Sequence, residues 1–128
     1  MISDQEIQDA KLRTNYTFED QHHEHNDCIR IAYEWLDAQK KTKNVSKKSY
    51  TLKHLIEKWG GRYVSTSDVC VAAELHPEIH GIYPFFNISA RLTEPSTQRL
   101  YGISEAMKHD NYRNSYDSKA YKIHEKCR

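Results

Sequence analysis

The sequence predicts a mainly α-helical protein with a small antiparallel β-hairpin, which is an α+β fold class. Apolar residues recur at three- and four-residue steps in several segments of the 128-residue chain, and this is the period of an α-helix. Residues that cap helices precede these segments, and glycine or proline follows them. Towards the end of the chain the pattern changes to the alternation that is typical of paired strands.

The first 41 residues are predicted to form an acidic helical segment. Ser3 and Glu6 have the spacing of a capping box, so a short helix begins there and ends near Asn15. A longer helix is predicted from Thr17 to Lys41. One broad apolar stripe runs along this helix and consists of Cys28, Ile29, Ala32, Tyr33, Trp35 and Leu36.

A lysine-rich linker is predicted at residues 42–48, between the helical segment and the rest of the chain. Lysine occupies positions 40, 41, 43, 47 and 48, and Val45 is the apolar residue among them. We interpret this stretch as an exposed connector, because a run of like charges is usually solvated. A basic strap that lies on phosphate groups is the alternative.

Residues 49–128 are predicted to form a second domain, which begins with two helices. The first helix carries an apolar face made up of Leu52, Leu55, Ile56 and Trp59. Glycines at 60–61 follow it directly and predict its end. Residues 63–64 fit a short strand, and the next helix takes its N-cap from residues 65–67 and ends before Pro77.

A third helix and a hairpin complete the predicted second domain. Pro84 suits the first position of a helix, which is predicted to continue to Glu94 until Pro95 ends it. Strands are predicted over residues 99–105 and 120–123, joined by a long polar loop.

The formal net charge of +1 conceals an uneven distribution. Residues 1–39 contain three Lys/Arg and nine Asp/Glu, which gives a formal charge of −6. Residues 40–128 contain sixteen Lys/Arg and nine Asp/Glu, which gives +7. The basic charge of residues 40–128 points to a polyanionic partner for that part of the chain.

Several classes of protein are disfavoured by the composition. The chain has no apolar run of about 18 residues, so we expect no membrane span, and its acidic start is unlike a signal peptide. Three scattered cysteines favour a reduced, cytoplasmic protein. A phosphate-binding glycine loop, a Cys-x-x-Cys motif and a Gly-x-Ser-x-Gly motif are all missing from the sequence, so we expect neither an enzyme nor a cofactor.

One short stretch resembles a known family. The sequence Asn-Ile-Ser-Ala-Arg-Leu-Thr-Glu at 87–94 is similar to the recognition helix of winged helix-turn-helix DNA-binding domains, of the type in small phage and bacterial regulators. In that family a glycine and an aliphatic residue then open the wing, and Gly102 and Ile103 stand at that place here. Residues 120–123 resemble the second wing strand. The resemblance covers roughly the last 80 residues and implies double-stranded DNA as the partner.

The expected DNA contacts follow from side-chain chemistry on such a helix. Asn hydrogen-bonds adenine and Arg hydrogen-bonds guanine through paired contacts, and cations on the hairpin neutralise phosphates. The candidate DNA-binding residues are Asn87, Ser89, Arg91, Thr93, Arg99, Lys108, Tyr112, Arg113 and Lys119. The sequence thus favours a non-enzymatic regulator of transcription or replication, from a mobile element. The alternative is that these polar residues merely solvate the outer face of a core helix.

The N-terminal segment offers a second kind of partner. Its stripe around Tyr33, Trp35 and Leu36 either forms a homodimer or packs back on the second domain. In the alternative function, the protein binds and inhibits or adapts a larger protein, such as a DNA-handling enzyme. The contact surface would then be its acidic residues, which are Glu19, Asp20, Glu24, Asp27, Glu34 and Asp37.

Histidines and cysteines near both ends raise the question of zinc. Three-residue spacings relate the residues of this group, which are His22, His25, Cys28, His124 and Cys127. They suit tetrahedral zinc only if the two ends of the chain meet. We favour a packed Cys28 with solvated histidines, and therefore no metal.

Overall fold

The computed structural model describes residues 1–16, 21–47 and 51–126, and within these ranges the chain is a small α+β protein. Its four α-helices are α1 (Asp4–Arg13), α2 (Asn26–Ala38), α3 (Leu52–Gly60) and α4 (Thr66–Leu75). Its four short strands are β1 (Gly81–Ile82), β2 (Phe85–Phe86), β3 (Thr93–Glu94) and β4 (Ile123–His124). Short 3-10 helices form at Thr97–Leu100, Asp110–Ser115 and Ser118–Ala120.

Local sequence signals set the ends of three helices, as predicted. Ser3 and Glu6 form the expected capping box at α1, and Ser65 forms a second one with Asp68 at α4. Helix α3 ends at Gly60, and the C-cap residue Gly61 has a left-handed φ of +62°. A Cβ at this position would lie 2.7 Å from Met107 Sδ, so both conformation and space require glycine there.

A single hydrophobic core joins the N-terminal segment to the rest of the described chain. Helix α2 packs mainly against α4, and Ile7 of α1 and Trp59 of α3 belong to the same buried cluster. Trp35 is fully buried and donates from Nε1 to the Tyr121 hydroxyl at 3.0 Å. The α2 stripe therefore packs back on the molecule, which is one of the two arrangements we expected for it.

The lysine-rich segment is paired with another part of the chain. We call residues 40–47 the lysine strap. An isolated bridge between Lys41 and Ile88 aligns the strap antiparallel to residues 86–89. Three backbone hydrogen bonds of 2.8–2.9 Å hold it there, from Ser89 N to Lys40 O, Thr42 N to Asn87 O and Ser46 N to Phe86 O. The described part of the predicted linker is thus fixed to the body, and Lys48 lies outside the described residues.

The predicted helix from Pro84 to Glu94 is wrong. The segment instead forms β2, a bend and β3, because the Asn87 side chain hydrogen-bonds three backbone groups outside a helix. Ile88 and Thr93 are also β-branched and favour extended backbone.

The predicted hairpin of residues 99–105 with 120–123 is wrong as well. A 3-10 helix takes up the first part of 99–105, and Gly102 has a φ of +88°, which interrupts a strand. Strand β4 pairs in parallel with β3, and among the described residues an antiparallel hairpin forms instead from β1 and β2. The long helix is also shorter than predicted, since His25 caps the start of α2. Residues 63–64 form no strand.

Candidate nucleic-acid interface

Four cations lie exposed along the lysine strap and the segment that pairs with it. Lys40, Lys43 and Lys47 lie on the strap, and Arg91 follows the paired residues 86–89; we call these four the basic edge. Among the described residues, none of their side chains has a hydrogen-bond or ion-pair partner. Lys41 differs, because its Nζ donates to the Asp37 carbonyl oxygen at 2.6 Å and covers the end of α2. The basic edge is therefore a set of charges that the fold does not use itself.

Asn87 is buried and its side chain hydrogen-bonds the backbone of the lysine strap. It is 3% exposed, and its Nδ2 donates to Thr42 O at 3.2 Å and to Glu78 O at 2.9 Å. Its Oδ1 accepts from His80 N at 2.7 Å. With every amide hydrogen and its oxygen engaged, Asn87 has no group left to reach a base, and its role in this structure is to hold the strap in place.

Ser89 and Thr93 also form hydrogen bonds that involve backbone groups. Ser89 is half-buried, and its Oγ accepts a hydrogen bond from Arg91 N at 3.1 Å, which fixes the backbone at Arg91. Thr93 is buried, and its N–H and carbonyl pair with the Gln39 side chain at 2.9 and 2.8 Å. Of the four candidates at 87–93, only Arg91 is thus exposed.

Arg99 forms ion pairs with carboxylates, so its charge is already neutralised within the protein. Two of its nitrogens, Nε and Nη2, donate to Glu125 at 2.7 Å each, and Nη1 donates to Asp37 at 2.8 Å and Glu34 at 3.0 Å. The hydrogen bonds with Glu125 raise the pKa of Arg99, and the same bonds lower the pKa of Glu125. This residue therefore joins the C-terminal part of the chain to α2.

The candidates near the 3-10 helices divide into two kinds. Arg113 Nη1 donates to the carbonyl oxygens of Lys58 and Trp59 at 3.0 and 3.1 Å, and so closes the end of α3. Lys108 and Lys119 are exposed, and Tyr112 is half-buried beside His109. No hydrogen bond between described residues joins this group to the basic edge.

The acidic residues of the N-terminal segment are mostly neutralised inside the molecule. Asp27 is buried and accepts from Arg30 Nη1 at 2.7 Å, and Arg30 also binds Asp4. Burial raises the pKa of Asp27, but hydrogen bonds from Arg30 and Ser104 outweigh it, and the net shift is downward. Glu24, Glu34 and Asp37 likewise lie beside arginines, whereas Glu19 and Asp20 lie outside the described residues.

The apolar residues predicted to bind a partner are buried or half-buried. Trp35 and Leu36 are fully buried, and Tyr33 is half-buried with its ring 5.1 Å from that of His76. In this fold the two buried residues have no surface to offer a second copy.

The described zinc candidates have other partners, and His124 Nδ1, for example, lies 2.7 Å from Glu94 Oε1. His25 Nδ1 accepts from Asp27 N and caps α2, His22 Nε2 lies 2.7 Å from Glu24, and Cys28 donates to Tyr63 O. Within residues 1–16, 21–47 and 51–126, no three His, Cys, Asp or Glu side chains are placed to share a metal ion. Cys127 lies outside the described residues.

One cavity of about 200 Å³ opens between α4 and the β1–β2 hairpin, and its lining includes Cys70, His80 and Tyr83. Burial raises the pKa of the Cys70 thiol to about 11, so the group stays protonated at neutral pH. A protonated thiol is a poor nucleophile, and the cavity therefore does not favour thiolate chemistry.

Comparisons with protein-family models, with curated proteins and with solved structures found no match for this chain. In the described part of the chain, no helix combines the length and the apolar character needed to span a membrane.

Proposed function

We propose that this protein is a non-enzymatic protein that binds double-stranded DNA through the basic edge. The observation that carries the proposal is that four exposed, unpartnered cations lie on two adjacent, backbone-paired segments, whereas Arg30, Arg62 and Arg99 are paired with carboxylates. A cation without an internal partner contributes nothing to the fold, yet it releases counterions when it meets a phosphate. The backbone pairing of the lysine strap presents these charges in a fixed arrangement, which lowers the cost of binding.

The dimensions of the strap suit a duplex backbone. The strap bonds to residues 86–89, which cover about 10 Å as extended chain. A duplex carries one phosphate charge per about 1.7 Å of axis, so several phosphates lie within reach of such a strap. A role in regulating transcription or replication remains a prediction from the sequence resemblance to winged helix-turn-helix domains, whose recognition helix and wing hairpin do not form in this fold.

The mode of binding we propose differs from a base-reading helix. With Asn87 buried beneath the strap, the contacts come from Lys40, Lys43, Lys47 and Arg91, and the first three are suited to phosphates. The alternative function, capture of a protein by the acidic segment, has less support, because its described carboxylates are already paired with arginines.

Salt-dependent DNA binding tests the proposal. Four phosphate contacts predict that affinity falls by about 100-fold or more between 50 and 200 mM salt, measured by fluorescence anisotropy of a labelled duplex. Changing Lys40, Lys43, Lys47 and Arg91 to Gln together should abolish most of this binding and flatten the salt dependence.

A control changes cations outside the basic edge to Gln, at the exposed residues Lys108, Lys119 and Lys126. This control should retain most of the affinity. Absence of binding to any duplex at 50 mM salt would contradict the proposal. An equal loss in the two variants would show that the basic edge is not the binding surface.

A further inference from the structure

The β1–β2 hairpin carries an exposed apolar pair beside its turn. Ile82 is 58% exposed and Phe85 is 41% exposed, and the two are directly paired across the hairpin. Residues opposite one another in an antiparallel pair point to the same face. The next residue, Phe86, points the other way and is buried in the core. The hairpin is therefore anchored by one phenylalanine and presents the other to solvent together with Ile82.

The apolar pair lies next to part of the basic edge. Val45 of the lysine strap is 42% exposed, and its Cγ1 lies 2.9 Å from the position that a Cβ on Gly81 would occupy. Lys43 and Lys47 stand two residues before and after Val45. The backbone bond from Ser46 N to Phe86 O ties this part of the strap to β2. The apolar tip and the part of the strap that carries Lys43 and Lys47 are thus neighbours.

We propose that Ile82 and Phe85 form a wedge that enters the minor groove of DNA, partly unstacks one base step and bends the duplex. This inference rests on the proposed DNA-binding function and names its mode. Minor-groove proteins insert apolar side chains, Phe and Ile among them, between base pairs while nearby cations hold the phosphates. Here Lys43 and Lys47 are the cations placed to do so. Insertion also removes from water two apolar side chains that the fold leaves exposed.

The shape and chemistry of the tip favour a groove over a lipid surface. A minor groove is about 6 Å wide, so the side chains of Ile82 and Phe85 enter it while the paired strands stay outside. The exposed polar residues Thr42 and Asn44 on the strap are suited to hydrogen bonds with the sugar-phosphate backbone.

Bending and unstacking are measurable independently of affinity. A duplex of about 20 base pairs with a central TA step, which is easily unstacked, carries a dye at each end and 2-aminopurine at the step. We expect the wild-type protein to bring the ends closer, consistent with a bend of about 20–90°, and to increase 2-aminopurine fluorescence. Ile82→Ser with Phe85→Ser should lose both signals and keep salt-dependent binding.

The matched control replaces two exposed apolar residues elsewhere, Leu12→Ser with Tyr101→Ser, which are 89% and 76% exposed. It should bend DNA as the wild type does, and equal loss of bending in the control would overturn the wedge. Wild-type binding without bending or unstacking would overturn the wedge and leave the proposed function intact, whereas no wild-type binding would overturn both.

The same proteins are sedimented with vesicles of phosphatidylcholine and phosphatidylserine. Binding that the wedge variant loses here, together with an unbent duplex, would assign the apolar pair to an anionic membrane surface and overturn the wedge.

Discussion

The acidic helix α2 and the lysine strap that follows it are both strongly charged, but the fold treats them in opposite ways. Asp27 and Asp37 on α2 lie 2.7 and 2.8 Å from arginine nitrogens, and Arg99 reaches Asp37 from 62 residues away in sequence. Lys43 and Lys47 on the strap have no such partner among the described residues. The difference shows that segment charge alone does not identify a binding surface, because internal pairing decides which charges remain for a partner.

The largest effect on stability is expected where a paired carboxylate is removed. Asp27→Ala leaves Arg30 with fewer acceptors and deprives Ser104 Oγ and Glu105 N of theirs. We expect the free energy of unfolding, measured by urea denaturation, to fall by about 2–4 kcal/mol. Asp9→Ala on α1 is the control, since its carboxylate is exposed, and should change stability by less than about 0.5 kcal/mol. A similar loss in both would mean that Asp27 is not a structural ion pair.

A smaller loss is expected from the residue that holds the strap. Asn87→Ala leaves His80 N, Thr42 O and Glu78 O without their side-chain partner, which should cost about 1–3 kcal/mol. DNA affinity should then fall equally on all sequences, since a loosened strap presents its cations less well. Asn114→Ala, at an exposed asparagine, is the control and should leave both quantities unchanged. A loss confined to one base pair would show instead that Asn87 contacts a base.

Local signals allowed much of the helical part of the fold to be predicted. Capping boxes and a glycine stop lie within four residues of the groups they satisfy, so the ends of α1, α3 and α4 follow from short windows of sequence. The helix predicted over 84–94 failed because Asn87 bonds Thr42, which is 45 residues earlier. Period and propensity carry no information about a partner at that distance.

The candidate site was visible in the sequence only in part. The density of lysines at 40–47 marks the strap, but its exposure and lack of partners depend on the fold. Arg99 and Arg113 were expected on DNA for their charge, yet one binds carboxylates and the other binds helix carbonyls. An arginine's partners are usually distant in sequence, so charge counting cannot separate structural cations from available ones.

The pH dependence of stability separates the two regions further. The pKa of Asp27 is lowered in the folded protein, so its contribution is complete above the unfolded value near 3.9 and is lost as the pH falls through the folded value. The difference in unfolding free energy between wild type and Asp27→Ala should therefore be constant from pH 7 to 5 and shrink below about pH 4. A difference that stays constant to pH 3 would contradict an ionised, paired Asp27.

The smallest effect on stability is expected from the basic edge. The variant with Gln at positions 40, 43, 47 and 91 loses four charges, but none of them has an internal partner among the described residues. Its unfolding free energy should therefore lie within about 0.5 kcal/mol of the wild type, in contrast to the loss at Asp27. Urea denaturation and DNA anisotropy on the same samples provide the comparison. Lower stability together with weaker binding would show that these cations support the fold, and the contrast between the two regions would no longer hold.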